Sequence, residues 1–291
     1  MKKILPTASV IAAGVLCGII SFFINALSDA GMSAMQITFV RMAVSAPLML
    51  MAAAVICRGK LRLNLKDIWM FAGTGIVSIV LFNICYFYTM IHSEVSIAVV
   101  LLYTSPVFIM LISAVFFKEK ITLSKLAALG MTFGGCVLVA GLSGGSSVMP
   151  FIVITGLASG LIYGLYTIFG RIALKKYDSL TVTVYTFIFG LIGSAPVGDA
   201  AGAFRIISEQ PSLIFWCAGI GIFCTILPYF LYTWGLARMD PSKAAITVAV
   251  EPMVGAVIGM TFYQENSSPA RLAGIALIIG ALVVLNVKKP S

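Results

Sequence analysis

Long apolar runs, broken by short polar clusters, organise the chain from end to end. Cutting at the clusters gives ten runs: 5–26, 34–57, 67–90, 94–117, 123–142, 149–169, 179–197, 212–236, 242–264 and 269–287. Each is close to the roughly 20 apolar residues that cross a bilayer as a helix. The runs are continuous, whereas a membrane β-barrel needs short alternating segments, so the pattern predicts helices. Met1-Lys2-Lys3 and the apolar residues that follow imitate a signal peptide. Their run extends to Ala26, too long for a cleaved segment, and is read as the first span. The connections are short, and no soluble domain is expected between spans.

Composition agrees. Hydrophobic residues make up 60% of the chain and charged residues only 10%, with a mean hydropathy of +1.09. A soluble domain carries about 25% charged residues, so a water-facing surface could not be built from this supply. The net charge of +9 raises the question of nucleic acid, and the placement of the charges answers it. Ten spans put both termini on one side. Sixteen lysines and arginines lie in segments on that side, only Arg205 and Arg271 lie opposite, and Arg41 is inside a span. The positive-inside rule makes the basic side, with both termini, cytoplasmic. The expectation is a multi-pass protein of the cytoplasmic (inner) membrane, and the basic excess is topological, with no nucleic-acid partner. Six cysteines without C-x-x-C spacing and the single His92 predict no metal site.

Adding 146 to a residue number in the first half repeatedly reaches a related residue. Tyr86 maps to Tyr232, Ser96 to Ser242, Pro106 to Pro252, Glu119 to Glu265 and Gly134 to Gly280, with no gap over three consecutive spans. The chain therefore divides into units 1–145 and 146–291, each of five spans. An odd number of spans makes the second unit enter the membrane from the opposite face. Inverted repeats are characteristic of secondary transporters, whose sites lie near the midplane between the repeats. The predicted fold is an all-α membrane protein of ten transmembrane helices, in two inverted five-helix repeats around a central cavity.

The pattern Pro106…Phe116-Phe117-Lys118-Glu119…Lys125-Leu126…Gly134, echoed as Glu251-Pro252…Phe262-Tyr263-Gln264-Glu265…Arg271-Leu272…Gly280, resembles the EamA-type members of the drug/metabolite transporter superfamily. The resemblance covers nearly the whole chain and includes an arginine in the second span, Arg41. It implies a ten-helix bundle that moves metabolites or amino acids, often outward, without ATP.

Candidate binding residues are the polar and aromatic groups at membrane depth. An acidic side chain at a helix centre costs roughly 2.5–3.5 kcal/mol on insertion scales, so Glu251 is expected to face a cavity or a partner helix and to be able to carry a proton. Pro252 deprives the Val248 carbonyl of its helical partner, which frees that carbonyl to turn toward the cavity. Pro106 is the equivalent break, with Ser105 where the second repeat has Glu251. Tyr103, one turn away, is placed either to meet a substrate or to fill the core. Arg41 lies roughly 10 Å inside the second span, within reach of a substrate carboxylate or of the headgroups. Ser21 with Asn25 and Tyr163 with Tyr166 each share a helix face; Asn83 and Tyr86 complete the set, with Tyr229, Tyr232 and Trp234 nearby. Glu119 and Glu265 end their spans just before the next helix begins and are expected to cap or fix loops, with Ser268-Pro269 as a helix start. Gly14-x-x-x-Gly18 and Gly160-x-x-x-Gly164 are read as close helix contacts.

The expected function is secondary transport of small metabolites or amino acids, as an exporter working by alternating access with proton linkage. An uncoupled facilitator and a drug/proton antiporter remain as alternatives. The antiporter is weakened because neither the first nor the sixth span contains Asp or Glu. A membrane enzyme would need a nucleophile–base pair or metal ligands at membrane depth, and the sequence offers neither. The expected partners are a small-molecule substrate and the lipid bilayer, with no ATPase subunit and no cofactor, in a monomer or weak homodimer.

Overall fold

A computed structural model describes residues 4–56, 61–93, 95–140, 149–262 and 268–286. Among these residues, nine helices are long and apolar enough to cross a membrane, and a tenth apolar helix, Ser179–Ser194, is shorter. The protein is an all-helical, multi-pass integral membrane protein. Helices suit a bilayer because every backbone N–H and C=O is paired within its own segment.

Several spans are interrupted. The first consists of Ile4–Gly18 and Ile20–Asp29, with the helix broken at Ile19. The fourth consists of Val95–Leu102 and Ser105–Phe116, and the ninth of Pro241–Val248 and Glu251–Phe262. The two latter breaks are 146 positions apart, and each is followed by a proline that lacks the N–H needed to continue the ladder. The third and eighth spans are continuous but widen into π-helix at Gly73–Leu81 and Ile222–Ile226. There the Ser78 hydroxyl donates to Gly73 O at 2.8 Å, and that of Thr225 to Ile220 O at 2.9 Å; each acceptor is five residues back. The segment after the seventh span, expected to be a connection, instead forms the helix Ala200–Glu209. Asp199 caps it, in the left-handed region at φ 39°, accepting from Gly202 N.

Glycines hold the repeats together across the bundle. A β-carbon on Gly14 would lie 2.7 Å from Val248 O, and one on Gly18 would lie 2.9 Å from Glu251 O. Gly160 faces Leu102 O and Gly164 faces Ser105 O in the same way. These acceptors are again 146 positions apart, so the first span packs on the ninth as the sixth packs on the fourth. The same contact sets the Val248 carbonyl, three residues before Glu251, against Gly14. The fifth span, Leu123–Ala140, runs along the tenth, Pro269–Asn286. Gly135 meets Gly274, and Ala128 packs with Ala281. Because Ala128 corresponds to Gly274 and Gly135 to Ala281, this interface is self-complementary, as a two-fold relation requires.

Charged side chains fasten one end of the bundle, the end where the basic residues gather. Lys125 Nζ donates to Glu119 Oε1 at 2.6 Å and to Asp240 Oδ2 at 3.0 Å, while Glu119 Oε2 accepts from Ser242 N at 3.4 Å. Lys118, at φ 53°, turns the chain so that Glu119 points back into this cluster. Glu119 thus links the first turn of the fifth span, through Lys125, to the start of the ninth. Glu265 lies outside the described residues. Ser268 accepts from Arg271 N at 3.2 Å, as expected of the cap before Pro269.

Candidate functional site

The interrupted spans converge on a central cavity of about 280 Å³. Its walls come from the first, second, third, fourth, sixth, eighth and ninth spans. Cys17 and Tyr163, Ile20 and Tyr166, Ser78 and Cys224, Phe82 and Pro228, Asn83 and Tyr229, Tyr86 and Tyr232, Val99 and Ala245, Leu102 and Val248, and Ser105 and Glu251 all line it, and each pair is 146 positions apart. The cavity is thus two-fold in outline while its chemistry is one-sided. The second repeat contributes a carboxyl at Glu251 where the first has a hydroxyl, and the first contributes Arg41 where the second has buried Phe187.

Glu251 is the first residue of its half-helix and is half-buried, with its backbone fixed by the Gly18 contact. Arg41 donates from Nε to Thr225 Oγ1 at 3.1 Å, a hydroxyl that itself donates to Ile220 O in the π-helix region of the eighth span. That bond uses one donor, and the two terminal NH₂ groups make no hydrogen bond among the described residues. Neither Arg41 nor Glu251 takes part in an ion pair among the described residues. The cavity therefore presents a guanidinium and a carboxyl group together, within a largely apolar and aromatic wall.

Aromatic rings form most of that wall. Phe82 packs with Tyr86 at 5.6 Å and with Tyr163 at 5.2 Å between centroids. Tyr166 meets Tyr229 at 5.2 Å and Tyr232 at 6.0 Å. Two hydroxyl pairs tie the sixth span to the eighth: Tyr166 with Thr233 and Thr167 with Tyr232, both at 2.7 Å.

Of the residues singled out in the sequence, Glu251, Arg41, Asn83, Tyr86, Tyr103, Tyr163 and Tyr166 all line the cavity. Asn83 is turned partly onto its own helix, donating to Ile79 O at 2.8 Å. Ser21 and Asn25 do not line it. Ile20 and Ile24 face the cavity in the same helical stripe as Ala13 and Cys17, while Asn25 is exposed and the Ser21 hydroxyl is buried in packing. Pro106 and Pro252 stand one residue behind the wall, each beside the residue that faces in. Trp234 lies outside, under the guanidinium of Arg238 at 3.9 Å. Sequence reading missed Ser78, Thr167, Cys17, Cys224 and the supporting Thr225; the offset of 146 would have found Thr167 from Ser21 and Cys224 from Ser78.

The chain matches the family described as the EamA-like transporter family twice, over residues 6–141 and 150–287. It is 24% identical over 281 residues to an uncharacterized transporter of Archaeoglobus fulgidus, covering 95% of this chain and 94% of that one. It is 22% identical over 231 residues to a protein of Streptantibioticus cattleyicolor named a probable terminal-alkyne amino-acid exporter, covering 78% and 76%. A solved crystal structure superposes with a TM-score of 0.77 at 18% identity over 97% of this chain and 96% of the other, which shows a shared fold.

Proposed function

The chain belongs to the EamA-like transporter family, and on that premise we propose that it is a secondary exporter of small zwitterionic metabolites, amino acids among them. The observation that carries this reading is the presence of Arg41 and Glu251 in one cavity that tyrosines also line. A free amino acid has a carboxylate for the Arg41 fork, an ammonium for Glu251 and a side chain for the aromatic wall. An arginine whose terminal NH₂ groups are unbonded among the described residues suits a planar carboxylate by two parallel hydrogen bonds. The exporter name of the Streptantibioticus relative supports the substrate class and the direction.

In this proposal the two repeats exchange conformations so that the cavity opens to one side and then to the other. Glu251 carries the proton whose movement drives export. The basic end, with both termini, faces the cytoplasm, on the strength of the sixteen-to-two distribution of lysine and arginine. The transporter acts as a monomer or weak homodimer in the cytoplasmic membrane, without an ATPase subunit. The test is a panel of amino acids and related metabolites in proteoliposomes, with and without an imposed pH gradient. Gradient-dependent movement of amino acids is the expected result. Transport of cations lacking a carboxylate, in preference to amino acids, would overturn the substrate class; equal rates with and without the gradient would favour an uncoupled facilitator.

A further inference from the structure

The two-fold outline of the cavity makes it possible to compare each contact with its counterpart in the other repeat. The Thr167 and Tyr232 hydroxyls are bonded at 2.7 Å toward the basic end of the bundle. Their counterparts, 146 positions earlier, are Ser21 and Tyr86. The chemistry is the same, a small hydroxyl facing a tyrosine, but the bond is not made. Ser21 Oγ is buried and has no hydrogen-bond partner among the described residues, while Tyr86 faces the cavity. A buried hydroxyl without a partner is costly in any single conformation.

Unmatched residues extend the wall at both ends. Ile24, Arg41 and Phe87 line it away from the basic end, where their counterparts Gly170, Phe187 and Thr233 do not. Ala13, Ile109 and Thr167 line it toward the basic end, where Ser159, Gly255 and Ser21 do not. The difference between the two ends therefore lies in the hydroxyl pair, bonded at the basic end and not at the other.

We propose that Thr167–Tyr232 and Ser21–Tyr86 are paired latches that close in alternation at the two ends of the cavity. In the present conformation the first is shut and the second open. When the repeats exchange conformations, the first breaks as the second forms, which gives Ser21 the partner it lacks here. One hydroxyl bond replaces another, so the exchange carries little net hydrogen-bond cost. The latches are not equal in number. Tyr166–Thr233 adds a second bond at the basic end, and its counterparts, Ile20 and Phe87, cannot hydrogen-bond by side chain. The resting equilibrium therefore favours closure at the basic end. This proposal rests on the transporter reading, because it assigns parts to the conformational exchange.

The test uses Cys17, which lines the cavity, in a protein whose other five cysteines are replaced by alanine. A membrane-impermeant maleimide is presented from either side, without substrate, and the ratio of the two alkylation rates reports which end is open. Thr167→Val is expected to raise relative reactivity from the basic end by about two- to tenfold, the worth of one hydrogen bond. Ser21→Ala is expected to move the ratio the opposite way by a similar factor, and the double variant to restore it toward the parent value. Should Thr167→Val fail to fold, Tyr232→Phe provides the same measurement, with Tyr86→Phe opposite it. Shifts in the same direction, or an unmoved ratio in folded variants, would overturn the latches while leaving the transporter reading intact. Reactivity of parental Cys17 from one side alone, under all conditions, would remove both.

Discussion

The Lys125 ammonium lies 2.6 Å from Glu119 Oε1 and 3.0 Å from Asp240 Oδ2, so one buried cation joins the end of the fourth span to the start of the ninth. Glu119 is 7% exposed at its side chain, and Lys125 11%. Removing one partner of a buried pair leaves a charge without compensation, which is more damaging than the pair itself is helpful. Glu119→Gln is expected to cost on the order of 2 kcal/mol, less than a fully orphaned charge because Asp240 remains. Thermal unfolding in detergent should register this, with transport per folded molecule changed less. Unaltered stability with transport abolished would move Glu119 from fastening into the transport cycle.

Gly14 and Gly160 bring pairs of spans into backbone contact, and a side chain at either has nowhere to go. A β-carbon at Gly160 would sit 2.8 Å from Leu101 O, just as one at Gly14 would sit 2.7 Å from Val248 O. Overpacking a tight contact costs about 1–3 kcal/mol even where neighbours can shift, and backbone oxygens shift least. Gly14→Leu and Gly160→Leu should both sharply reduce the yield of folded protein. Gly130, with open space at its missing β-carbon, is the control; Gly130→Ala should be tolerated. Wild-type yield from both leucine variants would show that the spans are not packed this closely.

Much of this arrangement was legible in the sequence because apolar length, basic placement and matched prolines report directly on membrane physics. Pro106 and Pro252 marked both helix breaks, and the offset that aligns them also pairs most of the cavity wall. The π-helices at Ser78 and Thr225 left no such mark: a hydroxyl inside an apolar run reads equally well as α-helix. Ser21 and Asn25 do lie one turn apart on Ile20–Asp29, but the face turned to the cavity is the neighbouring stripe Ala13, Cys17, Ile20 and Ile24, and spacing alone does not say which face of a helix turns inward. The helix Ala200–Glu209 was hidden by its weakly apolar composition and by Asp199, whose left-handed backbone no local pattern requires.

The orientation proposed for the bundle can be checked at two exposed positions, one at each end. Lys66 lies at the basic end before the third span, and Glu209 at the end of the helix after the seventh. In intact cells an impermeant thiol reagent should label Glu209→Cys and leave Lys66→Cys unreacted until the membrane is permeabilised. The reverse pattern would invert the transporter and with it the inferred direction of export.

Glu251 carries the largest share of the proposed mechanism, and two substitutions divide its possible roles. Glu251→Gln keeps the size and much of the hydrogen-bonding capacity but cannot release or take up a proton. Glu251→Ala also removes volume from the wall and strands whatever polar group the side chain meets. As a proton carrier, Glu251→Gln should retain measurable substrate exchange between equal concentrations while losing accumulation driven by a pH gradient. Because Glu251 is also the proposed partner of the substrate ammonium, Glu251→Gln should in addition weaken binding, since a charge-assisted bond is roughly twice as strong as a neutral one. A residue that only supports the broken helix would transport nearly normally as Gln and lose thermal stability as Ala. Binding, exchange and gradient-driven flux should therefore be measured on both variants in the same vesicles. The expected result is exchange without accumulation for Gln; full pH-coupled transport by Glu251→Gln would end the proton-carrier assignment.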